Sequence, residues 1–97
     1  MVYWKNIKLV YGQNTILHIA NHRVNISEVQ NVLARRFGTQ RIIENGVLRY
    51  LVLGESYGRV LILVLEPIGG DEMLLKTAYD ASESRKRLYR DRIKRYI

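Results

Sequence analysis

The dipeptide Asn45-Gly46 constrains the fold of this chain more than any other feature of its sequence. It joins the β-prone runs "QRIIE" and "VLRYLVLG", and Asn-Gly accepts the positive φ angles of a two-residue turn. The two runs are therefore predicted to form a β-hairpin. Two more β runs follow. "GRVLILVLE" from Gly58 is apolar on both faces and is predicted to be central in the sheet, and "EMLLKTAY" begins at Glu72.

Helical periodicity replaces the two-residue alternation on the amino-terminal side of the hairpin. "NISEVQNVLARRFG" has apolar residues three and four apart, and Asn25 and Glu28 have capping-box spacing. Gly38 stands where a left-handed residue would end this helix. "TILHIANH" predicts a shorter helix and "NIKLVY" a short first strand. The predicted order is β-α-α-β-β-β-β-α, an α+β fold with an antiparallel sheet packed against helices.

The carboxyl-terminal segment predicts an amphipathic, basic final helix. The formal net charge is +7, and residues 83–97 carry a large share of the basic side chains, while Tyr89, Ile93, Tyr96 and Ile97 fall on one helical face. Such a run is either a solvated helix face or a surface for a polyanion or an acidic partner. The one-signed charge and the tyrosines favour the second interpretation. The residues of this segment that would bind RNA or an acidic partner are Arg85, Lys86, Tyr89 and Arg90.

Length and composition restrict the remaining possibilities. The 97 residues predict one domain, spanning 1–97. The absence of cysteine excludes disulfides and thiolate metal sites. No apolar stretch approaches the length of a membrane span, and no secretion signal opens the chain. A cytoplasmic protein with no membrane partner is therefore expected.

Two short motifs suggest chemistry that the sequence does not support further. His18 and His22 are four residues apart, but no third residue has metal-ligand spacing, so no metal site is predicted. The segment "GESYG", Gly54 to Gly58, has the spacing of a nucleophile elbow. Because it lies between two β runs, it is interpreted as a hairpin loop.

Cationic and phenolic side chains are distributed over the predicted sheet, at Arg49, Tyr50, Arg59, Lys76 and Tyr79. One interpretation is that they stand at strand ends with their aliphatic stems over the core. The other is a cationic pocket for a phosphodiester, in which guanidinium groups hold the phosphate. A ribonuclease needs little more, because the 2′-OH of the RNA is the nucleophile. The pattern alone leaves both open.

Three segments, taken in order, cover most of the chain: "ANHRVNISEVQNVL" from Ala20, "RYLVLGESYGRVLILVLE" from Arg49 and "LKTAYDASESRKRLY" from Leu75. This colinear set resembles BrnT-type toxins of the RelE-like superfamily of toxin ribonucleases. The residues that match are His22, Arg49, Gly54, Gly58, Arg59, Ala78, Ser82 and Tyr89. The chain departs from the family pattern at three positions: Arg23 replaces a glycine, Tyr79 an arginine and Arg85 a glutamate.

The resemblance implies a toxin of a type II toxin–antitoxin system that inhibits translation by cleaving mRNA, free or on the ribosome, without a metal or other cofactor. Its antitoxin would be of the ribbon-helix-helix type. Arg49 and Arg59 would bind the phosphate, and Lys76 and Tyr79 would stabilise charge or transfer a proton. His22 is the candidate acid or base near neutral pH, with a structural role as the alternative.

The departures at Tyr79 and Arg85 favour a second hypothesis, a decayed toxin that binds nucleic acid or a protein partner without catalysis. Whether the chain forms a homodimer is left open by the sequence.

Overall fold

The computed structural model describes residues 2–93 and shows an α+β fold on one five-stranded sheet. The elements confirm the predicted order. They are β1 (Lys8–Val10), α1 (Gln13–Ala20), α2 (Ile26–Leu33), β2 (Gly38–Glu44), β3 (Val47–Ser56), β4 (Arg59–Gly69), β5 (Glu72–Asp80) and α3 (Glu83–Leu88), with a 3-10 turn at Trp4–Asn6 and a π-helical turn at Tyr89–Ile93. Within residues 2–93, no helix combines the length and the apolar character needed to cross a bilayer.

The sheet is mixed, with strand order β1-β5-β4-β3-β2. β2 to β5 form the predicted antiparallel meander, and β4 lies at the centre. β1, however, pairs in parallel with β5, with Lys8 opposite Glu72. The predicted antiparallel arrangement therefore holds for β2 to β5 and not for β1. The helices α1 and α2 form a crossover that carries the chain from one edge of the sheet to the other.

Both predicted hairpin loops are two-residue turns. Asn45 and Gly46 have φ values of 50° and 79°, and Tyr57 and Gly58 have 48° and 86°. These are the left-handed values that a two-residue turn of this kind requires. The segment "GESYG" is thus a hairpin loop, as predicted, and its Ser56 is buried and accepts a hydrogen bond from Nδ2 of Asn31.

One face of the sheet, the helical face, packs against α1 and α2. The predicted capping box begins α2: Oδ1 of Asn25 accepts from the main-chain nitrogen of Glu28 at 2.9 Å, and the carboxylate of Glu28 accepts from that of Asn25. Gly54 allows α2 to approach β3, because a Cβ there would lie 2.7 Å from Cγ1 of Val32. The buried core includes Ile19, Val29, Val32, Val52, Leu61, Leu63, Leu65 and Leu75.

The other face, the groove face, is covered at one end by α3 and the π-helical turn. Tyr89 is buried there against Leu53 and Ile62. Gly38 was predicted to end α2. It instead begins β2, where a Cβ would lie 2.5 Å from Cδ1 of Ile93. The predicted apolar stripe also included Tyr96 and Ile97, which lie outside the described residues. The remaining half of this face is open.

Candidate functional site

The open half of the groove face forms a groove of about 520 Å³. Leu51 of β3 and Val64 of β4 form its apolar floor, and the sheet register places them opposite each other. Polar and charged side chains from α1, β2, β3 and β5 stand around the floor. They are His18, Glu44, Arg49, Lys76, Thr77 and Tyr79. Three predicted site residues, Arg49, Lys76 and Tyr79, therefore meet in one groove.

Lys76 enters the groove at a break in the β4–β5 ladder. Val64 is opposite Thr77 and Leu65 is opposite Leu75, so Lys76 is the extra residue between two paired ones. A bulge of this kind redirects a side chain relative to the regular alternation of the strand, and such bulges are common beside functional sites. The exposed ammonium group of Lys76 has no ion-pair partner among residues 2–93.

Arg49 stands at the opposite rim of the groove and is held by two carboxylates. Its Nε donates to Oε1 of Glu66 at 3.2 Å, and its Nη1 donates to Oε1 of Glu44 at 3.3 Å. Nη2 has no hydrogen-bond partner within the described part of the chain. The Glu44 carboxylate is the more exposed of the two partners. A ligand phosphate could therefore bind Nη2 or displace Glu44 while Glu66 keeps the guanidinium oriented.

Two imidazoles lie near β5, and that of His18 lines the groove. Nε2 of His18 lies 3.0 Å from Oγ1 of Thr77, which fixes the ring at the rim. The rings of His18 and His22 are 5.5 Å apart between centroids, and the ring of His22 is 6.1 Å from that of Tyr79. α1 ends at Ala20, so His22 is placed by the following turn. Both histidines are exposed.

Arg59 lies on the other side of the sheet. Ser56 is opposite Arg59 and Tyr50 is opposite Leu65, so Arg59 alternates onto the helical face and Arg49 onto the groove face. The structure therefore contradicts the prediction that the two arginines hold one phosphate together. The two-residue turn at Tyr57-Gly58 determines which face of the sheet Arg59 occupies, because it places Ser56 opposite Arg59.

All five N–H groups of the Arg59 guanidinium have partners. Nε and Nη2 donate to the two carboxylate oxygens of Asp80 at 2.8 and 3.1 Å, and Nη1 donates to Oε2 of Glu28 at 3.0 Å. The other two bonds go to the main-chain oxygens of Arg23 and His22. Arg59 thus joins β4, β5, α2 and the α1–α2 turn. Its predicted phosphate-binding role has no free donor to use.

The pKa values of the pair reflect this geometry. The hydrogen bonds from Arg59 lower the pKa of Asp80 below its ordinary value, outweighing partial burial, which acts in the other direction. The same bonds to Asp80, with a smaller contribution from Glu28, raise the pKa of Arg59. The ion pair is therefore intact throughout the physiological pH range and acts as a structural clamp.

Of the predicted binding residues of the final helix, one is buried and three are at least partly exposed. Tyr89 is 1% exposed, so it cannot stack on a base, and its predicted RNA-contact role is wrong. Arg85 is half-buried and donates to Oε1 of Gln40, while Lys86 is 3.5 Å from Glu83. Arg90 is exposed. Arg85 also lines a second cavity of about 290 Å³ between α3 and β2, which shares Leu51 with the groove.

Metal ligation and known relatives give no further assignment of this groove. In the described range 2–93, no three His, Asp or Glu side chains converge as a metal site would require. Comparisons with protein-family models, with curated proteins and with solved structures find no match. Any function for this groove must therefore be argued from the side chains that line it.

Sequence reasoning missed three polar residues of the groove, His18, Glu44 and Thr77. His18 was considered as one of two histidines without a third metal ligand, and Glu44 and Thr77 were not considered. The spacing of four between His18 and His22 was a usable signal, because it places both rings near one end of α1. Nothing local in the sequence places α1 beside β5, which is the contact that brings His18 to Thr77.

Proposed function

We propose that this chain binds RNA in the groove and cleaves it there, as a toxin of the RelE-like type. The observation that carries the proposal is the convergence of an imidazole, a phenol and two cationic side chains on one open groove, with the His22 ring next to those of His18 and Tyr79. Those are the groups that metal-independent RNA cleavage uses, because the substrate itself supplies the nucleophile.

The reaction is an in-line attack of the 2′-oxygen on the adjacent phosphorus. The O2′–P bond forms and the P–O5′ bond breaks, leaving a 2′,3′-cyclic phosphate and a free 5′-hydroxyl. His18 accepts the 2′-OH proton, and His22 or the Tyr79 phenol supplies a proton to O5′. Lys76 and Nη2 of Arg49 stabilise the negative charge that develops on the phosphoryl oxygens.

The resemblance to BrnT-type toxins supports the proposal at one unexpected position. Arg23 replaces the glycine that follows the histidine in the family pattern, and its φ is 60°. That is the left-handed conformation that glycine adopts without a steric penalty. The departure at Arg23 thus preserves the backbone shape for which a glycine would be used.

The remaining parts of the proposal concern partners and location. An antitoxin of the ribbon-helix-helix type would cover the groove with an acidic segment, which Lys76, Arg85 and Arg90 would attract. mRNA on or off the ribosome is the substrate, so the cytoplasm is the proposed location. No cofactor has a part in this mechanism.

A second candidate is RNA binding without cleavage on the same groove. It is favoured by the carboxylates that occupy Arg49 and Arg59, and by the departures from the family pattern at Tyr79 and Arg85. Both candidates predict salt-dependent RNA binding, and they differ only in turnover.

The test is cleavage of end-labelled RNA, with and without ribosomes, in excess chelator. Wild type is compared with His18→Ala and Lys76→Ala, and with Arg41→Ala as the charge-matched control. Arg41 is exposed on β2 and faces away from the groove. Cleavage by wild type and Arg41→Ala, reduced about 100-fold or more by His18→Ala, supports the ribonuclease.

The other outcomes are equally informative. RNA binding without cleavage by wild type supports the second candidate. Cleavage that survives both groove substitutions contradicts the site. Cleavage that needs a divalent ion contradicts the mechanism.

A further inference from the structure

One edge of the sheet, formed by β2, is long and regular, and within residues 2–93 no other strand pairs with it. At the other edge, β1 covers only part of β5 with its three residues, and α1 packs beside the same strand. β2 has seven residues in unbroken register with β3 and contains neither proline nor lysine. Natural sheets usually protect such an edge with a bulge, a proline or charged side chains, above all lysine, because its free N–H and C=O groups attract another strand. The charged residues of β2 are Arg41 and Glu44, which have opposite signs.

The Asn45-Gly46 turn determines which main-chain N–H and C=O groups of β2 face the open edge. In a two-residue hairpin the residues that flank the turn, Glu44 and Val47, form a hydrogen-bonded pair. Alternation then directs Gln40, Ile42 and Glu44 to β3 for their main-chain bonds. The main-chain groups of Thr39, Arg41 and Ile43 face the open edge, and the Ile43 side chain is 66% exposed.

We propose that β2 pairs antiparallel with β2 of a second copy of this chain, about a two-fold axis through Ile42. In that register Ile42 meets Ile42 of the other copy, and Gln40 meets Glu44. Arg41 and Ile43 form the hydrogen-bonded pairs and supply about four main-chain hydrogen bonds. A register centred on Arg41 would instead place two like charges opposite each other.

The charge of β2 favours a second copy of this chain as the partner that pairs with the open edge. The chain carries a formal net charge of +7, but Arg41 and Glu44 give β2 itself no net charge. The edge is therefore a place where two basic molecules can meet without strong repulsion. An acidic partner strand would gain more from the basic residues of α3 than from this neutral edge. The interface is isologous, as a two-fold dimer requires.

Pairing about this axis keeps the same face of both sheets on one side. Ile42 and Glu44 line the groove, so the two grooves would meet at the axis and form one continuous channel across a ten-stranded sheet. This consequence rests on the proposed function only in assigning RNA to the channel. The dimer itself does not depend on it, and its tests do not involve RNA.

The first test is the molar mass in solution, measured by light scattering or sedimentation over a range of concentrations. Wild type and Arg41→Ala are expected at twice the 11.4 kDa monomer mass. Arg41→Pro, which removes an outward N–H without breaking the β2–β3 ladder, is expected at the monomer mass. A wild type that stays monomeric, or an Arg41→Pro dimer as tight as wild type, overturns the proposal.

A cross-linking test does not depend on how well the proline variant folds. The natural chain has no cysteine, so a single introduced thiol can form a disulfide only between copies. Ile42→Cys places the two Cα atoms about 4.5 Å apart, within disulfide range. Thr39→Cys, displaced six residues from its counterpart, is the control at about 20 Å. Rapid cross-linking of Ile42→Cys alone supports the register, and equal or absent cross-linking of both variants contradicts it.

Discussion

Replacing Arg59 by alanine tests whether this residue is a clamp or a ligand-binding group. The substitution removes five hydrogen bonds at once and separates Asp80, Glu28 and the α1–α2 turn from β4. It removes no bond to a side chain that lines the groove, because Arg59 points to the helical face. A clamp predicts loss of stability with groove chemistry retained, whereas a phosphate ligand predicts the reverse.

The magnitude follows from the exposure of the partners. The Arg59 side chain is 28% exposed, Glu28 is 21% exposed and Asp80 is 53% exposed. Exposed ion pairs contribute about 0.2–1 kcal/mol, and hydrogen bonds to charged groups in less exposed positions about 1.5–3 kcal/mol. The Asp80 pair is counted at the value for an exposed ion pair and the Glu28 pair at the value for a less exposed one. Together they predict that Arg59→Ala lowers the free energy of unfolding by about 2–3 kcal/mol. For a domain of this size that is a fall in Tm of roughly 10–20 °C.

The assay is urea unfolding and thermal unfolding of Arg59→Ala beside wild type and Arg41→Ala. The pH dependence adds a second signature. Because the pKa of Asp80 is lowered in the folded state, its contribution is present above the unfolded-state pKa of about 3.9 and is lost as the pH falls through the lower folded pKa. The difference in unfolding free energy between wild type and Arg59→Ala should therefore shrink below about pH 4.

Two results would refute this reasoning. An Arg59→Ala protein destabilised by less than about 0.5 kcal/mol, as expected for an ordinary surface change, would show that the network contributes nothing. A protein of unchanged stability that no longer binds RNA would return Arg59 to the functional site. Arg59→Lys separates charge from geometry, because lysine keeps the charge but lacks the planar fork.

Three further predictions follow from single positions. Gly54→Ala should cost about 1–3 kcal/mol in urea unfolding, because its Cβ would meet the buried, β-branched Val32; a loss under about 0.5 kcal/mol would show that α2 adjusts freely. Arg23→Gly should raise the free energy of unfolding by up to about 1 kcal/mol by relieving a left-handed φ, and a clear loss would reveal an unseen role for that side chain. Lys76→Ala should reduce the slope of log binding constant against log salt by about 1 for RNA, whereas an unchanged slope would place the phosphate elsewhere.

The features that the sequence predicted are the ones that short-range chemistry determines. Asn45-Gly46 fixed one hairpin, and the spacing of Asn25 and Glu28 fixed the start of α2. The features that it missed depend on distant partners. Alternation placed Arg59 with Leu61 and Leu63 within its own run, but only the pairing of Ser56 with Arg59 shows which face that is.

The groove shows the same division between local and distant information. Arg49, Lys76 and Tyr79 were selected for their chemistry and do meet in the structure. The bulge that directs Lys76 has no sequence signature, because it exists only in the pairing of β5 with β4, where Lys76 has no opposite residue. Placement of His18 needs α1 beside β5, a contact between elements that lie far apart in the chain.

The parallel pairing of β1 with β5 has a consequence for how the chain folds. The four-stranded meander closes only short loops, whereas the pairing of Lys8 with Glu72 must close a loop that contains most of the chain. Closing that loop costs chain entropy before any contact repays it. β1 should therefore join last, so substitutions at Leu9 should speed unfolding and leave the refolding rate nearly unchanged. During synthesis on a ribosome, β1 would emerge before β5 and could pair only after β5 had been made.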